Sequence, residues 1–516
     1  MPKKMFGPFL YGVDYSTPPA QLQDTALADA ANVIPLSNSL LTGRGGTGKM
    51  HGNKLNYPVK SFHEFLNGDT SLLLANYGNI VGYLDTDTQT MTPLFTLTSA
   101  KKAQWVTFGE KAIMINEGSD NPQYITDTST YGDLAGSPPK GKSIAVWSNR
   151  VWLGGDSTDL ATLTGCCVSD PTDWTTNSTD AGIVEQIVGD EGDPIIGIRG
   201  YFDWLIIGKK NTMYKLYSST NPTAATKLSI KPIYCKGGDS VGFTSPWAIE
   251  QVGNDLLFLD GFDIKRLSGI QEYGDVETAS VIPHFREYIE SVADKDLLYY
   301  SHFYHYKKKQ QLWVTIPTSA TTHLVFVLDY KFMKDTERYA VYPMSDMNIE
   351  CFGGRMNGSI SDIYAGYYDG YVRQLDMNTN DDSGVAIKRY FTITCAGLER
   401  DDDGDVTNPD CYEWRKHFQQ MSTCILPTKT TLTMTPSYAT DIMDSEEIRD
   451  STNYTDLSAQ TVSSWPGTGL KRKDIRLLGV SGKALAVKWT HETLGENFVF
   501  YPSSISWDVK ERIEIV

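Results

Sequence analysis

LLLANYGNIVGYLD (residues 72–85) and IYAGYYDGYVRQLD (residues 363–376) are two copies of one pattern set far apart in the chain. Ala75 and Ala365, Tyr77 and Tyr367, Leu84 and Leu375, and the closing Asp85 and Asp376 correspond, with one residue inserted at the turn. Each copy alternates apolar and polar residues, crosses a Gly-containing turn (Gly78-Asn79 or Asp369-Gly370) and alternates again. That order predicts a β-hairpin.

Between the copies the same strand ending recurs. An alternating run stops on a small polar residue in YLD (Asp85), YITD (Asp127), CVSD (Asp170), KLYS (Ser218), KRLS (Ser268), VFVLD (Asp329) and RQLD (Asp376). Before most endings lies a second hairpin: WVTFGEKAIMIN, IAVWSNRVWLGG, IIGIRGYFDWLIIG, AIEQVGNDLLFLDG and HFYHYKKKQQLWVTIP. A repeat of roughly 40 to 60 residues built of short strands fits a propeller blade and not a helical solenoid. Seven endings predict seven blades, with six as the alternative if a terminal copy completes a shared blade.

The rest of the chain is read against that repeat. IPHFREYIESVAD (residues 282–294) spaces Ile282, Phe285, Tyr288, Ile289 and Val292 at helical period, so one helix is expected inside the propeller. After Asp376 comes NTNDDSG, then runs without blade spacing: AIKRYFTITCAG, FQQMSTCILP, KTTLTMTPSY, LLGVSGKALAVKW and NFVFYPSSISWDV. These predict a β-sandwich whose internal loop, DIMDSEEIRDSTNYTDLSAQT, is polar and acidic. The expected fold is all-β, in three parts: an N-terminal arm and lead-in strand (1–70), the propeller (71–380) and the sandwich (381–516). On this division, deleting residues 1–49 is expected to impair assembly more than blade folding.

Composition narrows the function. Hydrophobic residues at 40%, charged residues at 21% and a length of 516 residues describe a folded protein with a sizeable core. A net charge of -17 argues against a protein built to grip nucleic acid, which neutralises phosphates with clustered Lys and Arg. No signal peptide and no long apolar stretch is evident, so no membrane segment is expected. The seven cysteines include adjacent Cys166 and Cys167, which on a strand point to opposite faces, and no disulfide framework or CxxC site is read.

Several motifs imitate chemistry. GRGGTGKM (residues 43–50) has the glycines and Lys49 of a phosphate-binding loop, but Met50 stands where Ser or Thr must ligate Mg2+, so a flexible arm or a strand entry is the better reading. ERDDDGDVTNPD resembles a calcium loop, yet Gly404 is misplaced and Tyr412 stands where a Glu is needed. Asp401, Asp402, Asp403 and Asp405 in that run form the densest acidic loop, to be read as a solvated turn or as a channel-facing patch. His302 and His305 flank a Tyr-rich strand and are expected to pack, not to bind zinc. SDPTDW and SDNPQY only loosely resemble the aspartate boxes of sialidase propellers. Lys209-Lys210 and Lys307-Lys308-Lys309 read as solvated hairpin tips. No catalytic residue, cofactor site or metal site is expected, and the protein reads as a non-enzyme.

One resemblance connects these features. GVDYSTPPAQLQDTALADAANVIPLSNSLLTGRGG, with Gly12, Pro18, Pro19, Asp29, Ala30, Asn32, Val33, Arg44 and Gly45, resembles the opening of the propeller-type tail nozzle and packaged-DNA stabilisation proteins of short-tailed, podovirus-like bacteriophages. NRVWLGG with VSDPTDW, GIRGYFDWLIIGKKNTMYKL, SPWAIEQVGNDLLFLDGFDIKRLSG and WRKHFQQMSTCIL are similar to later phrases of that family, in the same order. The resemblance implies a structural virion protein of the tail, made and assembled in the host bacterial cytoplasm. It implies a homo-oligomeric ring, six copies being usual, that encloses a channel for retention and ejection of double-stranded DNA. Its partners would be the tail adaptor and portal-proximal proteins, and tail fibres or distal tail proteins. An acidic wall would then repel passing phosphates instead of trapping them. The alternative is a virion propeller that binds or hydrolyses host glycans.

Overall fold

The computed structural model describes residues 3–512 apart from 69, 157, 177–179, 235–239, 269–276, 337, 358–359, 396–413, 429–431, 443 and 463–468. Seven antiparallel sheets follow one another along the chain, at 59–96, 104–133, 141–187, 195–233, 249–280, 302–344 and 349–377. Their first strands pack on one another in cyclic order, the seventh returning to the first, so the sheets are blades of a closed seven-bladed propeller.

The strand endings share one structural meaning: six of the seven lie within two residues of the end of their blade's third strand, and Asp170 follows five residues after Gly165. Asp85 accepts the N–H groups of Asp87 (2.9 Å) and Thr88 (3.1 Å). Asp127 accepts those of Ser129 (2.7 Å) and Thr130 (2.8 Å), and the Ser218 hydroxyl those of Thr220 (3.3 Å) and Asn221 (3.1 Å). A short side chain that satisfies the next two free amides ends a strand cheaply and starts a tight turn. In the later blades the same position turns to long-range partners. Buried Asp329 accepts from the Gln311 amide (3.0 Å) as well as from Lys331 N–H (3.1 Å), and Asp376 accepts from Lys309 and Tyr306.

The three-part division needs correction at its N-terminal end. The seventh blade obtains its fourth strand, Gly46–Lys49, from the opposite end of the chain, pairing Arg373 with Lys49 and Gln374 with Gly48. The first blade opens at Val59–Asn67, inside the span assigned to the arm. The strands before Gly46 pair within the sandwich, while Val13 and Tyr15 between them bond to Val341 and His284 of the propeller. Lys3–Phe6 pairs with Ser503–Arg512, Asp29–Ala31 with Arg389–Cys395, and Leu41–Gly43 with Phe498–Phe500. No free arm is left among the described residues, and deleting residues 1–49 would strip both domains. A three-residue strand carries too little local pattern to reveal a partner hundreds of positions away.

The sandwich comprises an eight-stranded and a five-stranded sheet. It includes one strand absent from the sequence reading, Lys471–Arg476, whose exposed face is charged (KRKDIR) and lacks apolar alternation. The acidic loop before it carries the helix Ser445–Arg449, capped by Asp444 and anchored by fully buried Ile448. The propeller helix runs Arg286–Val292, inside the expected 282–294, and buries Ile289. One apolar core runs through both domains, joining Trp313, Val325 and Tyr342 of blade 6 to Phe391, Trp489 and Phe500 of the sandwich.

Candidate functional site

Loops that precede the first strands, and turns that join second to third strands, gather at one end of the propeller axis. There they enclose a cavity of about 610 Å³ between blades 1, 2, 6 and 7. Its floor is made by Lys102, which is 2% exposed. From the connection into blade 2 the Lys102 ammonium reaches across the axis to donate to the carbonyls of Tyr300 (2.9 Å) and Glu350 (3.4 Å). It also lies 4.8 Å from the centre of the Trp247 ring, whose Nε1 donates to Ala103 O (2.9 Å). Burial pushes the Lys102 ammonium down to about 8, with the Cys351, Glu350 and Glu117 groups opposing that fall. Elements preceding blades 2, 5 and 6 and the first strand of blade 7 are thus tied across the axis by one lysine and one tryptophan.

The walls mix signs. Lys60 donates to Ala100 O (2.7 Å), the Lys101 ammonium lies 3.6 Å from Glu117, and Glu117 accepts the Lys102 backbone N–H (3.2 Å). His323 hydrogen-bonds Asn348 Oδ1 (2.8 Å) and sits 3.8 Å from Glu350, while burial lowers its pKa and favours the neutral ring. Two tyrosines, Tyr57 (49% exposed) and Tyr368 (37% exposed), stand at the rim. The Tyr57 ring lies against Gly78, where an added Cβ would meet ring carbons at 2.6 Å and where φ is +58°, so glycine holds that platform in place.

Rings also stack between neighbouring inner strands. His63 stacks on Trp105 with centroids 5.8 Å apart, and Trp105 Nε1 donates to Ser61 (2.9 Å). Desolvation pushes His63 down to about 4 and His302 well below its ordinary value. His302 packs on Phe352 and accepts that residue's N–H (3.1 Å), and His305 hydrogen-bonds the Tyr330 hydroxyl (2.7 Å).

The motifs singled out in the sequence lie elsewhere. Asp401, Asp402, Asp403 and Asp405 fall outside the described residues. The glycine-rich run is a strand: an added Cβ at Gly46 would meet Asp381 O at 2.1 Å, and one at Gly43 would meet the Arg389 side chain at 2.3 Å, so close approach of protein groups explains the glycines. Asp170 and Asp173 of SDPTDW accept from Thr172, and from Thr175 and Thr176, as turn caps; these bonds hold the Asp173 carboxyl far below the usual carboxylate range. Cys166 and Cys167 are free thiols, both buried. Lys307 and Lys308 are exposed tips, but Lys209 is fully buried with its ammonium donating to Val188 O and Asp190 O, so the solvated-tip reading fails there. The 188–190 loop folds over the ammonium and supplies carbonyls in place of water. Among the described residues no group of three His, Cys, Asp or Glu is disposed to hold a metal ion, and no helix is long and apolar enough to cross a membrane.

Two residues of the N-terminal phrase, Asn32 and Arg44, meet at the domain joint. Arg44 donates to Asn32 Oδ1 (2.8 Å) and forms an ion pair with Asp382. Asn32 itself, at φ +58°, donates to Ser345 (2.7 Å) and Lys388 O (2.8 Å). Beside them, fully buried Arg389 donates to the carbonyls of Glu496 (3.0 Å), Arg44 (3.2 Å) and Asn380 (3.2 Å). The cavity, by contrast, was not foreseen. Its residues come from separate loops with no shared period, and only the Lys101-Lys102 pair ahead of a blade strand offered a local signal.

No family model matches the chain, and no curated protein matches it in sequence. Among solved structures it is similar to the extracellular domain of BT4673 from B. thetaiotaomicron, at 10% identity and TM-score 0.42, covering 66% of this chain and 41% of that one. It is also similar to the N-terminal domain of Nup159 (10%, TM-score 0.39, covering 64% and 95%) and to BamB from Moraxella catarrhalis (12%, TM-score 0.35, covering 67% and 94%). The propeller rests on the strand topology above, and the functional reading rests on the chain's own residues.

Proposed function

We propose that the chain is a non-enzymatic structural subunit of a phage tail nozzle or tube, assembled as a ring around a passage for double-stranded DNA. The observation that carries this reading is the joint. Residues of the family-like N-terminal phrase, Asn32 and Arg44 with its neighbour Gly45, are the ones that lock propeller to sandwich, and a single apolar core continues across them. Domains joined by a small polar interface move relative to each other; a shared apolar core suppresses that motion. A rigid two-domain block suits a ring wall that must hold its shape while DNA passes.

The axis of each propeller is bridged at its cavity end by Lys102 and Trp247. A DNA passage therefore belongs between copies, at the centre of the ring. There the net charge of -17 per chain disfavours lasting phosphate contacts. Six copies, the adaptor and portal-proximal proteins above, and fibres or distal tail proteins below complete the proposal. Labelling purified virions with antibody against this chain tests it. Label at the tail tip or tube is expected; label on peripheral fibres, or none on the virion, refutes the conduit.

A further inference from the structure

The axial cavity is not used by the conduit reading, and its character sets it apart from the rest of the molecule. Against a chain of net charge -17, the groups facing it are Lys60, Lys101 and Lys102 opposed by Glu117 and Glu350, with His323 neutral. That leaves an excess of one positive charge in a recess whose low-dielectric walls concentrate its field. The volume of about 610 Å³ lies inside the range of small-ligand sites.

We infer that this cavity is a binding site for a short saccharide bearing a carboxylate. Each part of the ligand has a partner in the cavity. The carboxylate meets the Lys101 ammonium, 46% exposed and shared with Glu117 at 3.6 Å and the Tyr300 hydroxyl, with Lys102 behind it. A pyranose ring lays its apolar face on the Tyr57 ring, which Gly78 fixes at the rim, and Tyr368 offers a second platform. Sugar hydroxyls find acceptors in Glu117 and Glu350, the latter engaged otherwise only by His323 at 3.8 Å among the contacts described. Those same carboxylates disfavour a nucleotide or phosphate ester, whose two charges would be repelled and which looks for Arg forks or stacked backbone N–H groups. The cavity is open to solvent between the loops of blades 1, 2, 6 and 7, so a ligand reaches it without opening the fold.

This inference bears on the glycan-recognition alternative and does not depend on the ring: virion labelling can fail while binding succeeds, and the reverse. The experiment is titration calorimetry of the full chain with a glucuronate-containing disaccharide and with sialyllactose as the two acidic probes. A neutral chitobiose disaccharide and sodium acetate serve as controls. Binding of either acidic probe is expected, at least about tenfold tighter than chitobiose or acetate. Lys101→Glu and Tyr57→Ala are both at exposed positions and should leave the melting temperature unchanged while weakening binding about tenfold or more. A preference for one acidic probe identifies the sugar class and supports the site. Absence of binding by both, equal binding of chitobiose, or indifference to both substitutions overturns it.

Discussion

The propeller and the sandwich are built from the same kind of strand, yet they close in opposite ways. In the first six blades every strand pairs with its sequence neighbour, and each blade is complete within roughly 30 to 50 consecutive residues, a scale typical of repeat units. The sandwich has few such pairs. Lys3–Phe6 lies beside Ser503–Arg512, and Asp29–Ala31 beside Arg389–Cys395, so both ends of the chain must be present before either sheet is whole. Blade 7 sits between these regimes, with three local strands and a fourth brought from Gly46–Lys49. Local pairing makes a region legible and separable; distant pairing makes it cooperative and hard to read.

The largest effect should come from removing residues 1–49. That deletion takes four sandwich strands and the closing strand of the propeller, and it should abolish cooperative unfolding followed by circular dichroism. A deletion product that keeps a sharp native transition would break the comparison at its root. A second contrast is between two fully buried tryptophans, Trp489 of the sandwich and Trp152 of blade 3. Replacing either by Ala should cost roughly 3–5 kcal/mol. The consequences should differ: hydrogen exchange is expected to rise across both domains for Trp489→Ala, and chiefly in blades 3 and 4 for Trp152→Ala, because the Trp152 cluster is confined to them.

These two contrasts follow what was legible in the chain. Asp85, Asp127, Asp170, Ser218 and Asp329 could be found because a turn cap acts within three residues of itself, and so leaves a local mark. Ser268 and Asp376 shared the strand-ending pattern but bond to distant partners. The helix at Arg286–Val292 was equally local. Gly46–Lys49 could be read only as a flexible arm or a strand entry, and not as the partner of Val372–Met377, since nothing in GTGK specifies a mate. Arg44 and Asn32 were visible as part of a phrase and silent about their contact with Asp382 and Ser345. The cavity was least legible of all, since Tyr57, Lys101, His323 and Tyr368 become neighbours only when the ring closes.

A smaller effect is expected from acid. Burial holds His284, at 4% exposure, and His491, at 1%, down to about 4 from an ordinary 6.5. As pH falls below 6.5 the unfolded chain binds protons that the folded chain refuses, so stability is full above 6.5 and declines toward pH 4. Each group accounts for a loss on the order of 3 kcal/mol by pH 4. Asp29, whose carboxyl burial raises, acts with the opposite sign and offsets part of this loss as pH falls through its folded value. Because the core is shared, denaturant unfolding at pH 7.5 and at pH 5 should each show one transition, with the lower midpoint at pH 5. Two separate transitions would show that the domains are less coupled than their packing indicates. The smallest effect is expected at exposed caps such as Asp127, whose carboxyl is held at about 2 by its turn hydrogen bonds. Asp127→Ala should lower the melting temperature only slightly, since the turn lies at the edge of one blade.

Cryo-electron microscopy of the intact tail tests the central claim most directly. The account predicts that propeller and sandwich fit the density as one rigid block, repeated six times in a closed ring, with the DNA passage between copies and not through any propeller axis. Density for this chain in a peripheral fibre, or the two domains found at different relative angles in different copies, would contradict it.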